Sequence, residues 1–553
     1  MKKIVLSGFL IAALGVCGPV LAQISLSRIV PIKTDEGQVA GKVLASGVRA
    51  WLGVPFAKPP VNDLRWELPQ PISWKGVWTA DRKMPECPQV LRPHDINNYF
   101  GEEATAEDCL YLNVWAPAGS GPNSKLPVII FIYGGGSTIG SAGSDMYDGE
   151  QMAQKGVVFV TVAYRLGILG YMAHPELTKE QGGHSGNYAY LDQLAGLKWV
   201  HQNIALFGGD PGRVIITGQS AGAGSVSAQM HSPLARGLFS GAMMSSTCSI
   251  ATGSLGMPLA DAEKIGLEVQ KELGVSDLAH MRNIPADKIV ALQAESQVGY
   301  STKGIRAAGI TDGYFMPGTK QEMAEQHKMS DVPVIGNFNS AESASPLIFA
   351  KTVDEYKQIA LKLYGDNAGE FLKLYPVSAD ADVRPMATKA ARETAIAQAS
   401  RNCGVQQAKY NTAKVYLDMF DRRHSYAPGA EIADQDLATI GAYHNADIDF
   451  WFNNLEVYNK IRHTRDWTDK DRALAAEMSD ALIQFAKTGN PSTAALQWPA
   501  WSAENDVFVD FDDPVRVEHF NTAGMEWLAS HPAAKTDLPS IGPGLIPGKG
   551  PRD

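Results

Sequence analysis

The chain has 553 residues, a formal net charge of −10 at pH 7 and 45% hydrophobic residues. It is long enough to bury one large core, and since large α/β enzymes often grow by insertion, its length does not require two domains. An acidic chain with no basic block is not expected to bind nucleic acid.

The N-terminus has the pattern of an export signal. Two lysines precede an apolar stretch that ends in Val-Leu-Ala at residues 20–22, a pattern suited to signal peptidase. The apolar run is too short to span a membrane, and lipid attachment at Cys17 is disfavoured by the valine before it. The sequence predicts a signal peptide over residues 1–22, a mature chain from Gln23, and a periplasmic or secreted protein without a membrane span.

Apolar, β-branched runs typical of strands buried on both faces recur along the chain. They are Leu126 to Ile132, Val157 to Val162, Val214 to Thr217, Val332 to Gly336 and Lys414 to Phe420. A helical pattern over Gly186 to Asn203 lies between two of them. This alternation predicts an α/β fold, with a mostly parallel central sheet and helices on both faces.

Two long segments, Pro258 to Gln326 and Val353 to Gln407, are rich in alanine and amphipathic. We expect them to be helical insertions that cover the carboxyl edge of the sheet and shape a substrate gorge. Residues 23–532 are predicted to form one domain. Residues 533–553 are rich in proline, glycine and charge and are predicted to be a loosely held tail.

The strongest motif is GQSAG at residues 218–222, directly after a predicted strand and before a predicted helix. This is the context of a nucleophile elbow, in which a serine lies on a turn so tight that its neighbours must be small. A glycine-rich structural turn is the alternative reading. The context favours Ser220 as a catalytic nucleophile.

A serine nucleophile requires hydrogen-bond donors for the oxyanion that forms when it attacks a carbonyl. The strand that ends at Ile132 runs into a triple glycine, where backbone N–H groups can approach a ligand. We assign the N–H groups of Gly135 and Gly136, together with that of Ala221, to an oxyanion hole. An ordinary flexible loop is the alternative for the glycines.

The base and the acid are expected on loops after later strands, in the order nucleophile, acid, histidine. His444 lies in a polar turn beyond the strand that ends at Phe420, and Glu342 follows the preceding strand. Spacing alone leaves Asp331 and Asp312 open as rivals for the acid.

Cys87, Cys109, Cys248 and Cys403 remain after removal of the signal peptide and allow three disulfide pairings. In an oxidising compartment the short-range pair Cys87 with Cys109 is favoured. A Cys248 to Cys403 pair rests only on these two being left over. The cysteine spacing is not that of a metal site, and we expect neither a metal nor an organic cofactor.

Motifs along nearly the whole mature chain resemble those of the type-B carboxylesterases, the family of cholinesterases and para-nitrobenzyl esterases. They are LGVPFAKPPVNDLRW (52–66), EDCLYLNVW (107–115), YRLGILG (164–170), SGN (185–187), FGGDP (207–211), GQSAG (218–222), GAYHNADI (441–448) and TGNP (488–491). The resemblance implies the α/β-hydrolase fold, hydrolysis of small-molecule esters, and a triad of Ser220, Glu342 and His444. It also implies the Cys87 to Cys109 disulfide and a buried ion pair between Arg65 and Glu107.

The chain departs from the family pattern near the expected site. Tyr133 precedes the triple glycine and Ser137 follows it, where the family usually has a histidine and an aromatic residue. Glu342 is flanked by alanine and serine instead of aspartate and glycine, and Asn445 replaces the glycine after the histidine. Asparagine tolerates left-handed backbone angles and can replace glycine there.

Substrate choice is open at this stage. Tyr133 and Ser137 are candidates to line the pocket, as are Trp451 and Phe452, for which core packing is the alternative. Relatives act on aryl esters, acylglycerols and bulky natural-product esters of the mycotoxin type. A lipase or thioesterase, or an inactive binding protein of the same fold, are the competing functions.

Overall fold

A computed structural model describes residues 29–101, 104–251, 256–293 and 304–546. The predicted signal peptide, with Cys17, lies outside these residues. In the described part of the chain, no helix is both long and apolar enough to cross a membrane.

The centre of the molecule is an eleven-stranded sheet. In chain order its strands are β1 (Lys42–Val43), β2 (Arg49–Pro55), β3 (Tyr111–Ala116), β4 (Leu126–Ile132), β5 (Val158–Val162), β6 (Gly209–Gln219), β7 (Gly241–Ser245), β8 (Val334–Asn339), β9 (Val415–Phe420), β10 (Val507–Phe511) and β11 (Arg516–His519). Their order in space is β11-β10-β9-β8-β7-β6-β4-β5-β3-β2-β1. The seven strands β4 to β10 are parallel, and antiparallel strands extend the sheet at both edges.

The parallel strands form where the chain has unbroken apolar runs, because helices cover both faces of the sheet and no face is left for polar side chains. Ile129 of β4, Val160 of β5 and Ile215 of β6 are almost fully buried. Burial of each such side chain contributes roughly 1.5–3 kcal/mol. These central strands therefore make a rigid platform.

The register of the parallel strands brings several loops to one edge. Ile132 of β4 lies opposite Gly218 of β6, and Gln219 lies opposite Ser245 of β7. Asn339, at the end of β8, lies opposite Phe420, at the end of β9. Since parallel strands end at the same side of a sheet, the loops after β4, β6, β8 and β9 all lie at the carboxyl edge.

Helices surround this sheet. They are Glu150–Gln154, Gly167–Tyr171, Pro175–Glu180, Tyr188–Asn203, Ala221–His231, Leu259–Glu272, Leu278–Arg282, Ala286–Ala291, Lys320–Glu325, Val353–Tyr364, Ala368–Leu374, Asp380–Thr394, Ile396–Tyr410, Ile448–Trp451, Asp469–Thr488 and Thr522–Ser530. Short strands form a three-stranded sheet from Ile32–Lys33, Gln38–Ala40 and Val77–Thr79, and a pair from Met257–Pro258 and Ile310–Thr311. In the described residues, both segments predicted as insertions are mainly helical.

The second helical segment carries a small core of its own. Tyr356, Phe371 and Tyr375 are fully buried there, together with Val383 and the small side chains of the helix Asp380–Thr394. This cluster is separate from the main core around the sheet. The segment is therefore a small subdomain with its own core, packed beside the sheet.

One predicted strand is displaced in the structure. The sequence predicts Val332 to Gly336, whereas β8 runs from Val334 to Asn339. Hydropathy misses the second half of β8 because it holds buried asparagines, whose amides bond to partners on neighbouring segments. Asn337 donates to Asp418 of β9, and Asn339 donates to the Tyr443 carbonyl.

Part of the predicted loose tail makes defined contacts in the structure. The Ala534 N–H donates to the carbonyl of Leu363, and Ile541 and Leu545 each form a β-bridge with the body of the domain. Pro543 is buried. Composition suggested a mobile segment, but glycine and proline here let the backbone lie close against two loops.

The cysteines form two disulfides. Cys87 is bonded to Cys109, and Cys248 is bonded to Cys403 across 155 residues. The ion pair that the resemblance implied is also present, since the Arg65 guanidinium makes two hydrogen bonds to the Glu107 carboxylate at 2.7 and 2.6 Å.

Candidate active site

Ser220 lies on a sharp turn between β6 and the helix Ala221–His231. Its backbone angles, φ 56° and ψ −124°, are unusual for a residue with a side chain, and such strain typically costs about 1–3 kcal/mol. The turn is held by two hydrogen bonds: the Ser220 N–H donates to Ser245, and its carbonyl accepts from Gly224. A Cβ on Gly222 would lie 2.1 Å from the Ile132 carbonyl oxygen, so this position requires glycine.

The triple-glycine loop after β4 lies against this turn. A Cβ on Gly134 would lie 3.1 Å from the Cβ of Ser220, which shows how closely the two backbones approach. Gly135 and Gly136 have φ of 105° and 60°. Within the described part of the chain, the N–H groups of Gly135, Gly136 and Ala221 donate no hydrogen bond. The structure therefore leaves three backbone donors near Ser220 free to bind an anion.

Glu342 and His444 are brought together by the loops after β8 and β9. Nδ1 of His444 lies 2.6 Å from Oε2 of Glu342. The other carboxylate oxygen of Glu342 accepts from the Asn339 N–H at 2.8 Å. Glu342 is 3% exposed, whereas the His444 side chain is 41% exposed. The carboxylate is thus fixed in the protein, and the imidazole faces outward from it.

The opposite nitrogen of His444 reaches the nucleophile turn. Its Nε2 lies 3.2 Å from the side-chain nitrogen of Gln219, the residue before Ser220. An amide N–H can only donate, so Nε2 accepts here and Nδ1 carries the proton given to Glu342. Oγ of Ser220 makes no hydrogen bond to any residue that the structure describes. This arrangement matches the tautomer that a general base requires.

Glu342 also affects the pKa of His444. Removal from water lowers the pKa of His444, but the hydrogen bond and negative charge of Glu342, with the charge of Asp447, outweigh this and raise it above 6.5. Burial raises the pKa of Asp447 to about 6. Asn339 donates to Asp447 at 3.0 Å, so one asparagine touches both carboxyl-bearing loops.

The two rival carboxylates have other structural roles. Asp331 accepts hydrogen bonds from Thr412 and from the Ala413 N–H, and so joins the segments before β8 and β9. Asp312 accepts from the backbone N–H groups of Tyr314 and Met316 within its own turn. In the structure neither carboxylate is bonded to His444.

The chain is similar to known proteins over most of its length. The Carboxylesterase family model matches residues 27–526. The chain is 35% identical over 505 residues to fumonisin B1 esterase of Sphingopyxis macrogoltabida, which covers 88% of this chain and 87% of that protein. It is 30% identical to para-nitrobenzyl esterase of Bacillus subtilis (strain 168), over 88% and 96% of the two chains.

The chain belongs to the carboxylesterase family. A solved structure of a PNB esterase superposes with a TM-score of 0.71 and 29% sequence identity, covering 90% of this chain and 99% of that one. The fold is therefore the α/β-hydrolase fold, as the motifs implied, and the protein is a carboxylic-ester hydrolase.

The positions at which this carboxylesterase departs from the family pattern adopt definite conformations. Tyr133 is buried and stacks on Tyr164 with ring centroids 4.3 Å apart, and its hydroxyl donates to the Tyr164 carbonyl. Ser137 is partly exposed with φ of 64°. Asn445 has the left-handed φ of 70° expected of a glycine substitute, whereas Ser343 does not adopt a positive φ. The loop that carries Glu342 therefore does not require a glycine at position 343.

Three of the four candidate pocket residues lie in the core instead of lining a pocket. Trp451 is buried against Trp498 and Phe511, and Phe452 is buried against Phe131 and Phe159 of the sheet. Both side chains pack in the core, because the short helix Ile448–Trp451 turns its aromatic residues toward the strands. Tyr133 likewise lies in the core, so Ser137 is the one of the four that remains beside the site.

Three residues at the site were missed by the sequence reasoning. They are Gln219, Asn339 and Asp447. Gln219 contacts His444 and Asn339 contacts Glu342, whereas Asp447 contacts Asn339 and acts on His444 through its charge. Gln219 lies inside the nucleophile motif, which was a signal for its proximity. Asn339 lies three residues before Glu342 and Asp447 three residues after His444, so the expected pairing of Glu342 with His444 was the signal that they meet.

Proposed function

We propose that this carboxylesterase cleaves esters with Ser220 as nucleophile, His444 as general base and Glu342 as the acid that orients it. The carrying observation is the position of the His444 ring, with Nδ1 2.6 Å from Glu342 and Nε2 3.2 Å from Gln219, which lies on the turn that bears Ser220. Once it leaves Gln219, the Nε2 lone pair can accept the serine proton, as proton abstraction requires.

The reaction runs through an acyl-enzyme. As Oγ of Ser220 bonds to the ester carbonyl carbon, its proton passes to Nε2 of His444, which exchanges its contact with Gln219 for the serine. The carbonyl oxygen becomes an oxyanion bound by the N–H groups of Gly135, Gly136 and Ala221. The tetrahedral intermediate collapses, the carbon–oxygen bond breaks, and His444 returns the proton to the leaving alcohol. Water then attacks the acyl-enzyme by the same route and releases the carboxylic acid.

A fluorophosphonate probe tests the nucleophile. We expect it to modify one residue, Ser220, located by peptide mass mapping, and to block hydrolysis of nitrophenyl esters in step with modification. The Ser220→Ala variant should not be labelled. Hydrolysis by an enzyme that resists the probe, or labelling at another serine, would refute the assignment. Absence of both labelling and hydrolysis would favour the inactive binding protein.

We infer further that bulky esters of the natural-product or xenobiotic type are the substrates. Relatives named as fumonisin B1 esterase and cocaine esterase support this, as does the small side chain of Ser137 beside the glycine loop. A serine occupies less space there than the aromatic residue usual in the family, which leaves room for a large acyl group.

A panel of nitrophenyl esters of increasing acyl length, beside bulky polyesters that include fumonisin B1, tests the substrate class. We expect kcat/KM to be maintained or to rise with acyl bulk. The Ser137→Phe variant should lose bulky substrates and keep the acetate ester. Activity confined to the acetate ester, in the wild type as in the variant, would contradict the proposal.

Export is proposed on the N-terminal sequence pattern, and the two disulfides are compatible with it because such bonds persist in oxidising compartments. Intact-mass measurement of protein from the periplasm or medium should give a chain that begins at Gln23. Recovery of an exported chain that retains Met1 would contradict this.

A further inference from the structure

The segment 541–546, here called the C-terminal strap, lies between the two loops that carry the acid and the base. Ile541 forms an antiparallel bridge with Ser345, three residues after Glu342. A Cβ on Gly542 would lie 3.8 Å from the Glu342 carbonyl oxygen. The first half of the strap therefore rests on the loop of the acid.

The second half of the strap rests on the segment that leads to His444. The Asp436 N–H donates to the Gly544 carbonyl at 2.7 Å, and the Ile546 N–H donates to the Asp434 carbonyl at 2.9 Å. Leu545 forms an antiparallel bridge with Gln435. These are backbone contacts, so they fix the path of the chain regardless of side-chain rotamers.

Gly544 is the closest point of contact. It has φ of 64°, and a Cβ there would lie 2.4 Å from the backbone nitrogen of Ile440, four residues before His444. Below the strap the two loops touch directly, since the Ala341 N–H donates to the Ala442 carbonyl at 3.0 Å. Only three residues separate Ile440 from His444, so a shift of Ile440 would also shift His444 relative to Glu342.

We propose that the C-terminal strap is a positioning element of the active site, which clamps the loop of Glu342 against the loop of His444. The proposal rests on the proposed function, in which these two residues are the acid and the base. The strap touches neither the serine nor the glycine loop in the structure, so it acts on the orientation of the base and leaves substrate contacts unchanged.

The effect should be visible in the pH dependence of catalysis. The charged groups that act on His444 are Glu342 on the opposite loop and Asp447 on its own loop. If the strap is displaced, the contact with Glu342 lengthens and the stabilisation of the imidazolium weakens. His444 then loses its proton at lower pH, so the acid limb of the activity profile moves to lower pH. In addition, kcat falls because the base is misplaced.

The Gly544→Ala variant tests this against Gly274→Ala. Gly274 has a similar φ of 67° but nothing within 4 Å of an added Cβ, so this control carries the backbone strain without a clash. We expect Gly544→Ala to lower kcat about a hundred-fold, as misplacement of a catalytic group by about 1 Å does. KM should change less than two-fold, and the acid limb should move to lower pH. Gly274→Ala should match the wild type in all three.

A chain that ends after Ser540 provides the second variant, because it removes the strap without a clash. It should show the same loss of kcat and the same pH shift. If either variant folds, as judged by circular dichroism, and keeps the wild-type kcat and acid limb, the strap does not position the pair. That result would leave the proposed function intact, whereas failure of fluorophosphonate to label Ser220 in the wild type would refute the proposed function itself.

Discussion

The two sides of the proposed active site are built in opposite ways. On the nucleophile side, Ser220 is placed by residues next to it in sequence: a central strand, a turn of small residues and a helix. On the acid–base side, Glu342 and His444 are 102 residues apart and lie on loops without regular structure at their tips. The first side is fixed by local backbone geometry, and the second by contacts between distant segments.

This difference shows how each side tolerates change. The nucleophile turn has almost no spare space, so a single added carbon is enough to disturb it. The acid–base side is held by several polar contacts, among them Asn339 to both carboxyl-bearing loops and the C-terminal strap across them. We expect a single substitution on the nucleophile side to cause a large loss of kcat, and substitutions on the acid–base side to cause losses of different sizes.

The largest expected effect comes from removal of the reacting groups. Ser220→Ala removes the attacking oxygen and His444→Ala removes the base, so each should lower kcat by about a million-fold. Because the triad acts as one unit, the double variant should be no worse than either single variant. Turnover of a nitrophenyl ester, measured after circular dichroism confirms folding, provides the check. Multiplicative losses in the double variant would show that the two groups do not share a step.

Replacement of the acid should cost less. Glu342→Gln keeps a hydrogen-bonding neighbour but loses the charge and can hold the wrong imidazole tautomer, so kcat should fall roughly ten-thousand-fold. Asp331→Asn is the control, since that carboxylate joins two strand ends and does not contact His444. Our assignment of the acid is wrong if Asp331→Asn abolishes turnover while Glu342→Gln leaves it near the wild-type rate.

A third pair of variants tests the tightness of the nucleophile side. Gly222→Ala would put a carbon 2.1 Å from the Ile132 carbonyl oxygen, whereas Gly224→Ala meets nothing within 4 Å. We expect Gly222→Ala to cost about 1–3 kcal/mol of stability from overpacking, and about a hundred-fold in kcat from displacement of Ser220. Gly224→Ala lies within a helix and should be more stable than the wild type by roughly 0.5–1 kcal/mol. Thermal unfolding and turnover distinguish them, and equal behaviour would mean that the turn is not tightly constrained.

The same contrast explains which features were predictable from sequence. The nucleophile turn and the central strands were predictable because their determinants are consecutive residues, and β4 was placed at its true bounds. The ends of β8 were misplaced because its buried asparagines find partners on other segments. The contacts of residues 541–546 were not predicted because their hydrogen-bond partners lie more than 100 residues earlier. The choice of Glu342 as the partner of His444 depended on the family resemblance, since spacing alone did not exclude Asp331 and Asp312 as the acid.

The smallest expected effect concerns Asp447, which lies on the acid–base side without touching the imidazole in the structure. Burial raises its pKa to about 6, so above that pH it is ionised and its negative charge contributes to the raised pKa of His444. Asp447→Asn removes this charge and retains an oxygen that can accept from Asn339. The pKa of His444 should fall, and because only the neutral imidazole is a base, the acid limb of kcat/KM should move to lower pH by less than about one unit. Well below pH 6 the wild-type carboxyl is already neutral, so the two profiles should converge there.

The control is Asp418→Asn. It changes a carboxyl on β9 that is also fully buried but does not act on His444, so it should leave the acid limb unmoved. A limb that moves to higher pH in Asp447→Asn, or moves equally in Asp418→Asn, would show that the charge of Asp447 does not control the base.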